Sequence, residues 1–155
     1  MRVFADPQAL LDAIGERLGE SGWHEVTQPH IGLFADATGD HQWIHVDPER
    51  AQAGPFGGPI AHGFLTLSML VPMLGEVVLV EGIAAQVNQG LDKLRFTTPV
   101  PVGGKLRLVV DLKTGRRFAS RGFTEVVYGI TCELDGARRP AYTADFRVLL
   151  HDAQS

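Results

Sequence analysis

Cysteine is nearly missing from this chain: Cys132 stands alone among 155 residues. A lone cysteine closes no internal disulfide, so the fold must rest on an apolar core, and such scarcity fits a reducing, cytoplasmic setting. Cationic blocks are missing too. Lys and Arg number 14 against 18 Asp and Glu, for a net charge of −4. No basic run of about five or more exists, which removes the electrostatic footprint of a nucleic-acid binder. Long apolar runs are also absent. Within the longest stretch without a charged residue, the segment Gly54 to Gly75 opens on Gly and Pro and contains His62 and Pro72. Its continuous apolar part, Phe64 to Leu74, falls short of the roughly 20 residues that span a bilayer. Asp6, Asp12 and Glu16 interrupt the segment after Arg2, unlike a signal peptide. Neither a membrane nor a nucleic acid is therefore an expected partner.

What is there is ordinary globular material: 45% apolar and 21% charged residues, with no repeat or low-complexity linker. Residues 1–155 read as a single domain. The first half is helix-like. Asp6-Pro7 is a helix start, Leu10, Leu11, Ile14 and Leu18 recur at helical spacing, and Gly19 can end the run. A short strand is expected at Trp23 to Thr27. Thr27-Gln28-Pro29 opens a second helix, with Ile31, Phe34, Ala35 and Thr38 at its apolar positions and Gly39 as its stop. Asp40 to Val46 reads as a loop, Asp47-Pro48 starts a short third helix, and Gly54 to Pro59 is an irregular loop. His62 to Leu74 is apolar on every side, which predicts a helix surrounded by protein, kinked or ended at Pro72.

The second half alternates. Leu106, Leu108, Val110 and Leu112 oppose Lys105, Arg107, Val109 and Asp111; Thr124 to Glu133 and Tyr142 to Leu150 repeat the pattern, with shorter candidates at Ile83 to Asn88 and Leu91 to Thr98. Period-two runs joined by Gly-containing turns predict about five antiparallel strands. Together these elements predict a curved sheet wrapped around one buried helix, an α+β architecture.

Two clusters could carry chemistry. Thr38-Gly39-Asp40-His41-Gln42-Trp43-Ile44-His45 is the densest polar segment and lies between helix signals. A carboxylate and an imidazole together can hold one water and move its proton near neutral pH. Spacing alone favours the plainer reading, a turn-capping Asp40 and a satisfied interior His45, because Asp and His four to five apart are common. Pro59-Ile60-Ala61-His62-Gly63 opens the apolar helix. Helix-start amides point outward unpaired, and a glycine admits a ligand oxygen to the backbone, as an oxyanion hole requires. The plainer reading is that Gly63 allows tight packing and His62 makes a local cap.

Phe34 to Pro48 resembles the hydratase-2 motif of the MaoC-like dehydratases, the (R)-specific enoyl-CoA hydratases. Gly58-Pro59-Ile60-Ala61-His62-Gly63-Phe64-Leu65-Thr66 resembles that family's approach to its central helix. Leu94-Arg95-Phe96 and Pro99-Val100-Pro101-Val102-Gly103 are similar to the family's next strand and turn. The likeness runs from Trp23 to about Leu150, and within the family it is to short single-domain members such as the nodulation protein N group. The resemblance implies a hot-dog fold, a homodimer with its two sheets side by side, and a site near the dimer interface. It implies that Asp40 and His45 grip the water that adds to a trans-2-enoyl-CoA, giving a (3R)-hydroxyacyl-CoA. It places the backbone donor to the thioester carbonyl on Gly63. No cofactor is implied beyond the coenzyme A of the acyl-CoA substrate.

The sequence departs from the family at two places. Gln42 and Trp43 stand where the common Gly-Asp-x-Asn-Pro-x-His motif has Asn and Pro. The Gln42 amide is expected to hold the loop and, with His62 and Gly63, to contribute to substrate binding, and Trp43 to reshape the pocket mouth. A supporting Ser found in some members falls on Val71, with Thr66 or Ser68 as substitutes. His62 is expected to support the loop geometry, and no metal is expected at Asp40, His41, His45 and His62, whose spacing matches no helical metal motif. Lys93, Arg95, Arg116, Arg117 or Arg121 could meet the CoA phosphates. A hot-dog acyl-CoA thioesterase and a non-catalytic acyl-CoA-binding protein are the rival readings.

Overall fold

The computed structural model describes residues 1–153. A short strand, β1 (Arg2–Phe4), leads into α1 (Pro7–Leu11), where Asp6 Oδ1 accepts from the Ala9 amide at 2.8 Å. This helix does not continue to Leu18 as the spacing predicts. Gly15 turns the chain at φ 93, and Arg17–Glu20 becomes strand β2 with Leu18 buried. Leu10 and Leu18 thus reach one core from different elements, and Ile14 between them is exposed at 43%, a case where helical spacing misleads. The expected strand at Trp23 shrinks to β3 (His24–Glu25), because Thr27 is already the cap of α2 (Gln28–Thr38). Gly39 ends α2 in the left-handed region at φ 77, its amide donating to the Ala35 carbonyl at 2.8 Å. After a one-turn helix, α3 (Trp43–Val46), Asp47 caps α4 (Pro48–Gln52).

The central helix comes in two pieces, α5 (Gly63–Ser68) and α6 (Leu70–Val77). Pro72 accounts for the break: it has no amide to give the Ser68 carbonyl, so the ladder fails around Met69. The helix nevertheless runs on past Pro72. Nor is it enclosed on all sides within one chain. Leu70, Met73, Leu74 and Val77 are buried, but Phe64, Ser68, Val71, Pro72 and Glu76 form an exposed stripe, with Phe64 at 66%. Among the described residues no helix is long and apolar enough to cross a membrane.

Strand β4 (Val78–Val80) then pairs in parallel with β1, a two-stranded unit that the alternation of the sequence does not reveal. The main sheet comes next: β5 (Ile83–Phe96), β6 (Lys105–Phe118), β7 (Phe123–Leu134) and β8 (Tyr142–Asp152), in the order β2-β6-β7-β8-β5, with β3 also on β6 and every pairing antiparallel. The two short candidates after Ile83 are one strand, irregular in register at Asn88/Gly90 and Asp92/Arg95. Leu106, Leu108, Val110, Leu112, Val126, Tyr128, Val148 and Leu150 face inward and pack with α6, so the sheet and helix share one core. This is the α+β hot-dog arrangement, with β5 as a free edge among the described residues.

Candidate active site

The segment expected to be a loop after Gly39 contains a turn of helix, and that turn gives its two chemical residues different burial. Asp40 is exposed, whereas α3 rotates His45 inward to 6% exposure. The turn forms because the His45 amide donates to the Gln42 carbonyl at 2.9 Å and the Asp47 amide to the Trp43 carbonyl at 3.1 Å. Asp40 Oδ1 accepts from the Gln42 amide at 3.4 Å, and Thr38 Oγ1 from the Asp40 amide, also at 3.4 Å.

His45 Nδ1 lies 2.7 Å from the Ile60 carbonyl oxygen. A carbonyl only accepts, so Nδ1 carries the hydrogen and Nε2 keeps a lone pair. Burial pulls the His45 pKa below its usual 6.5. The Ile60 bond works against this, the nearby His62 adds to it, and Asp40 opposes it. Near neutral pH His45 is therefore a base with its acceptor nitrogen already selected. The same logic applies to His62. Its Nε2 donates to the Asp40 backbone carbonyl at 2.9 Å, leaving Nδ1 as a buried acceptor without a partner among the described residues. The two imidazoles stack with centroids 3.8 Å apart at 28°, and Phe34 tilts against His62 at 5.0 Å.

A carboxylate oxygen of Asp40 and one ring nitrogen from each histidine lie within 4.8 Å of one another. Two atoms bonded to a single water at about 2.8 Å each are separated by roughly 4.5 Å, so the spacing suits a shared water. Asp, His and His are also metal-ligand types. Imidazole lone pairs lie in the ring planes, and the stacked rings send them side by side, so a shared water is met by Asp40 and one imidazole rather than by both.

Beside His45 lies a cavity of about 460 Å³, walled by Ile60, Gly63, Thr66, Phe96 and the segment Thr97 to Val100. The walls are stitched together: the Ala61 amide donates to the Val100 carbonyl at 2.8 Å and the Thr97 amide to the Ala141 carbonyl at 2.8 Å. Gly63 is the first residue of α5, where an amide has no partner within the helix. A Cβ at Gly63 would come within 3.1 Å of the Phe96 ring, so glycine keeps amide and aromatic wall in close approach.

Of the residues singled out from sequence, Asp40, His45, His62 and Gly63 are brought together. Gln42 is not part of the cavity: it is exposed and holds the loop through its backbone, not its side-chain amide. Trp43 does not reshape the mouth, since its ring packs on Gly54 and under Arg50, whose guanidinium sits 4.5 Å above it. Thr66 and Ser68 do not support Asp40. Both hydroxyls bond back at 2.7 Å to helix carbonyls, of Gly63 and Phe64 respectively, and Val71 lines a separate groove with Leu91. The support comes from His62 instead. Phe96 and Ile60 are site residues that sequence reasoning misses. Nothing in an apolar side chain or a backbone carbonyl advertises chemistry until strand β5 and the segment before α5 are placed beside His45.

Residues 10–133 match the MaoC like domain. The chain is 46% identical over 145 residues to 3-hydroxyacyl-thioester dehydratase Z of Mycobacterium tuberculosis, covering 94% of this chain and 95% of that protein. It is 43% identical over 139 residues to nodulation protein N of Rhizobium leguminosarum bv. viciae, covering 88% and 86%. The structure superposes on the monoamine oxidase regulatory protein from Archaeoglobus fulgius with a TM-score of 0.79 at 25% identity, covering 99% and 98% of the two chains. With its paired helix-start segments, its sheet wrapped on α6 and these relatives, the chain belongs to the MaoC-like dehydratase family.

Proposed function

We propose that this protein is a lyase that adds water across a trans-2-enoyl-CoA to give the (3R)-hydroxyacyl-CoA, and runs the reverse dehydration. The observation that carries this reading is the pairing of a neutral, tautomer-fixed His45 with the Asp40 carboxylate at water-bridging distance beside a mostly apolar cavity. His45 Nε2 takes one proton from the water while Asp40 holds the other hydrogen. The hydroxide oxygen bonds to C3, the C2–C3 π electrons move toward the thioester, and the His45 imidazolium returns its proton to C2. Negative charge gathering on the thioester oxygen meets the Gly63 amide. The (R) outcome follows the hydratases the sequence resembles, and the Mycobacterium tuberculosis dehydratase favours a 3-hydroxyacyl thioester by its name. Neither metal nor redox cofactor takes part, and CoA arrives with the substrate. Of the cations first considered for its phosphates, Arg117 is tied to Asp152 at 2.8 Å, Arg116 lies over Phe118, and Lys93 pairs with Asp145 at 3.4 Å. Arg95, exposed and next to Phe96, is the better placed.

Crotonyl-CoA tests the reading. Loss of its enoyl-thioester absorbance without release of free thiol, yielding (3R)-hydroxybutyryl-CoA, is the expected result. Thiol release marks a thioesterase, and binding without turnover marks a carrier.

We further infer that the working unit is a homodimer joined along β5. This strand is exposed along most of its length, including Val87 at 44%, Leu91 at 37% and Phe96 at 45%. Its outer edge offers unpaired backbone groups beside the exposed helix stripe of Phe64 and Val71. A long apolar free edge is a liability unless paired, and twofold antiparallel pairing of β5 with its copy would cover it.

A further inference from the structure

We propose that His62 is a positioning residue for hydration, fixing both members of the catalytic pair through one side chain: its Nε2–H holds the backbone of Asp40 and its ring face sets the plane of His45. This rests on the hydratase reading above.

The imidazole has no other evident task. His62 is the cap residue of α5, yet its side chain makes no capping bond. It is only 3% exposed, with Nδ1 unpaired. Burying an unsatisfied nitrogen is unfavourable, and an apolar side chain would pack there at less cost. What the ring does is reach across 22 positions of chain to the Asp40 carbonyl at 2.9 Å. The other bonds on Asp40, to Thr38 Oγ1 and from the Gln42 amide, are each 3.4 Å, at the long limit of a hydrogen bond. His62 thus supplies the tightest tether on an exposed residue.

For His45 the reasoning is geometric. Its bond to Ile60 holds one edge of the ring, leaving the faces free only to rock about the Cβ–Cγ bond. The stack at 3.8 Å removes the remaining freedom and so aims Nε2. The titratable groups facing His45 are Asp40 from the loop after α2 and His62 ahead of α5. Phe34 from α2, Thr66 from α5, and Phe96 to Thr98 at the end of β5 and beyond contribute no charge.

Two substitutions divide the roles. His62→Gln keeps an N–H donor for Asp40 but cannot stack, and His62→Phe can stack but cannot donate. Each is expected to lower kcat roughly 10- to 100-fold, as small misplacements of catalytic groups do, with KM changed less than about threefold. A readout independent of turnover is the imidazole NMR titration of His45. It should lie below 6.5 in the parent protein and move upward in His62→Gln, because losing the stacked ring opens one face of His45 to water and relieves the burial that lowers its pKa. Thermal melting identifies any variant that fails to fold, and the other then carries the test. A folded variant with kcat within about twofold of the parent, or a His45 titration unmoved in His62→Gln, overturns the proposal. A parent protein without hydratase activity would overturn the hydratase reading instead; the His45 titration would then decide alone whether His62 positions it.

Discussion

His45 and Ile60 are 15 residues apart in sequence and 2.7 Å apart in space, the imidazole Nδ1–H donating to the Ile60 carbonyl. That single bond couples the two segments through which the sequence resembles hydratases. It also decides which nitrogen of His45 faces chemistry. Because the Ile60 amide in turn donates to the Ile44 carbonyl at 3.0 Å, the strand-like approach to α5 and the turn α3 brace each other. The base is therefore preset before substrate arrives.

Asp40→Asn and His45→Gln should each lower turnover by about 10²- to 10⁴-fold, the usual contribution of a positioned acid–base group. Each replacement keeps size and polarity but removes proton transfer or its partner. Since the two groups act on one water, the double variant should be little slower than the slower single variant. Steady-state rates on crotonyl-CoA check this, and multiplicative losses would mean that the residues act separately.

Acidification should affect activity and stability through His45. Its folded pKa is lowered, by burial first, so the base remains competent somewhat below pH 6.5, and the acid limb of kcat/KM should lie under that value. The linkage has the same sign. A group whose pKa is depressed on folding contributes stability above its unfolded pKa and loses it as pH falls through the folded value. Urea midpoints should decline on that acid side, and His45→Gln should flatten the decline. An acid limb above the unperturbed histidine value would contradict the burial argument.

How far the sequence can be read depends on range. Strands β6, β7 and β8 are legible because alternation is local and one face of each meets the core. The pair Asp40 and His45 is legible because its members are five apart on one segment and carry reactive groups. The first helix is overextended by its spacing, because Leu18 keeps helical phase while Gly15 takes the chain through φ 93. The exposed stripe of α5 and α6 escapes the sequence because apolar residues on all faces are consistent with burial by a second chain as well as by the first. The positioning contact from His62 is foreseeable only in general terms. Its target is a backbone carbonyl, to which any residue type at position 40 would contribute equally.

Gly63→Ala separates site geometry from stability. Gly63 is not at a positive φ and is the first residue of α5, a position alanine also adopts, so folding should be little changed. The added Cβ nevertheless meets Phe96 at 3.1 Å, and Phe96 is itself set edge-on to Phe64 and Tyr142 at 5.9 and 6.0 Å. Pushing that wall a few tenths of an ångström from the amide should cost about tenfold in kcat/KM, less than the ~10²-fold that a full ångström of misplacement can cost. Melting temperature and kcat/KM measured together decide it: if both fall, Gly63 serves packing, and if neither does, the amide is not where the thioester oxygen sits.

The β5 edge gives the last prediction. Leu91 and Val71 line one groove of about 330 Å³ between the strand and the central helix, both exposed within a single chain. A lysine there would place a charge in the middle of any β5 pairing while leaving the buried core of the chain untouched, which is how natural edge strands resist association. Leu91→Lys should therefore shift the sedimenting species toward 16.8 kDa, from twice that mass in the parent protein. Activity should fall with it, because the strand that carries Leu91 also carries Phe96 into the cavity wall and an unpaired β5 would hold that wall less firmly. A parent protein sedimenting at 16.8 kDa at micromolar concentration would remove the dimer. The exposed stripe of Phe64 and Val71 would then need some other cover.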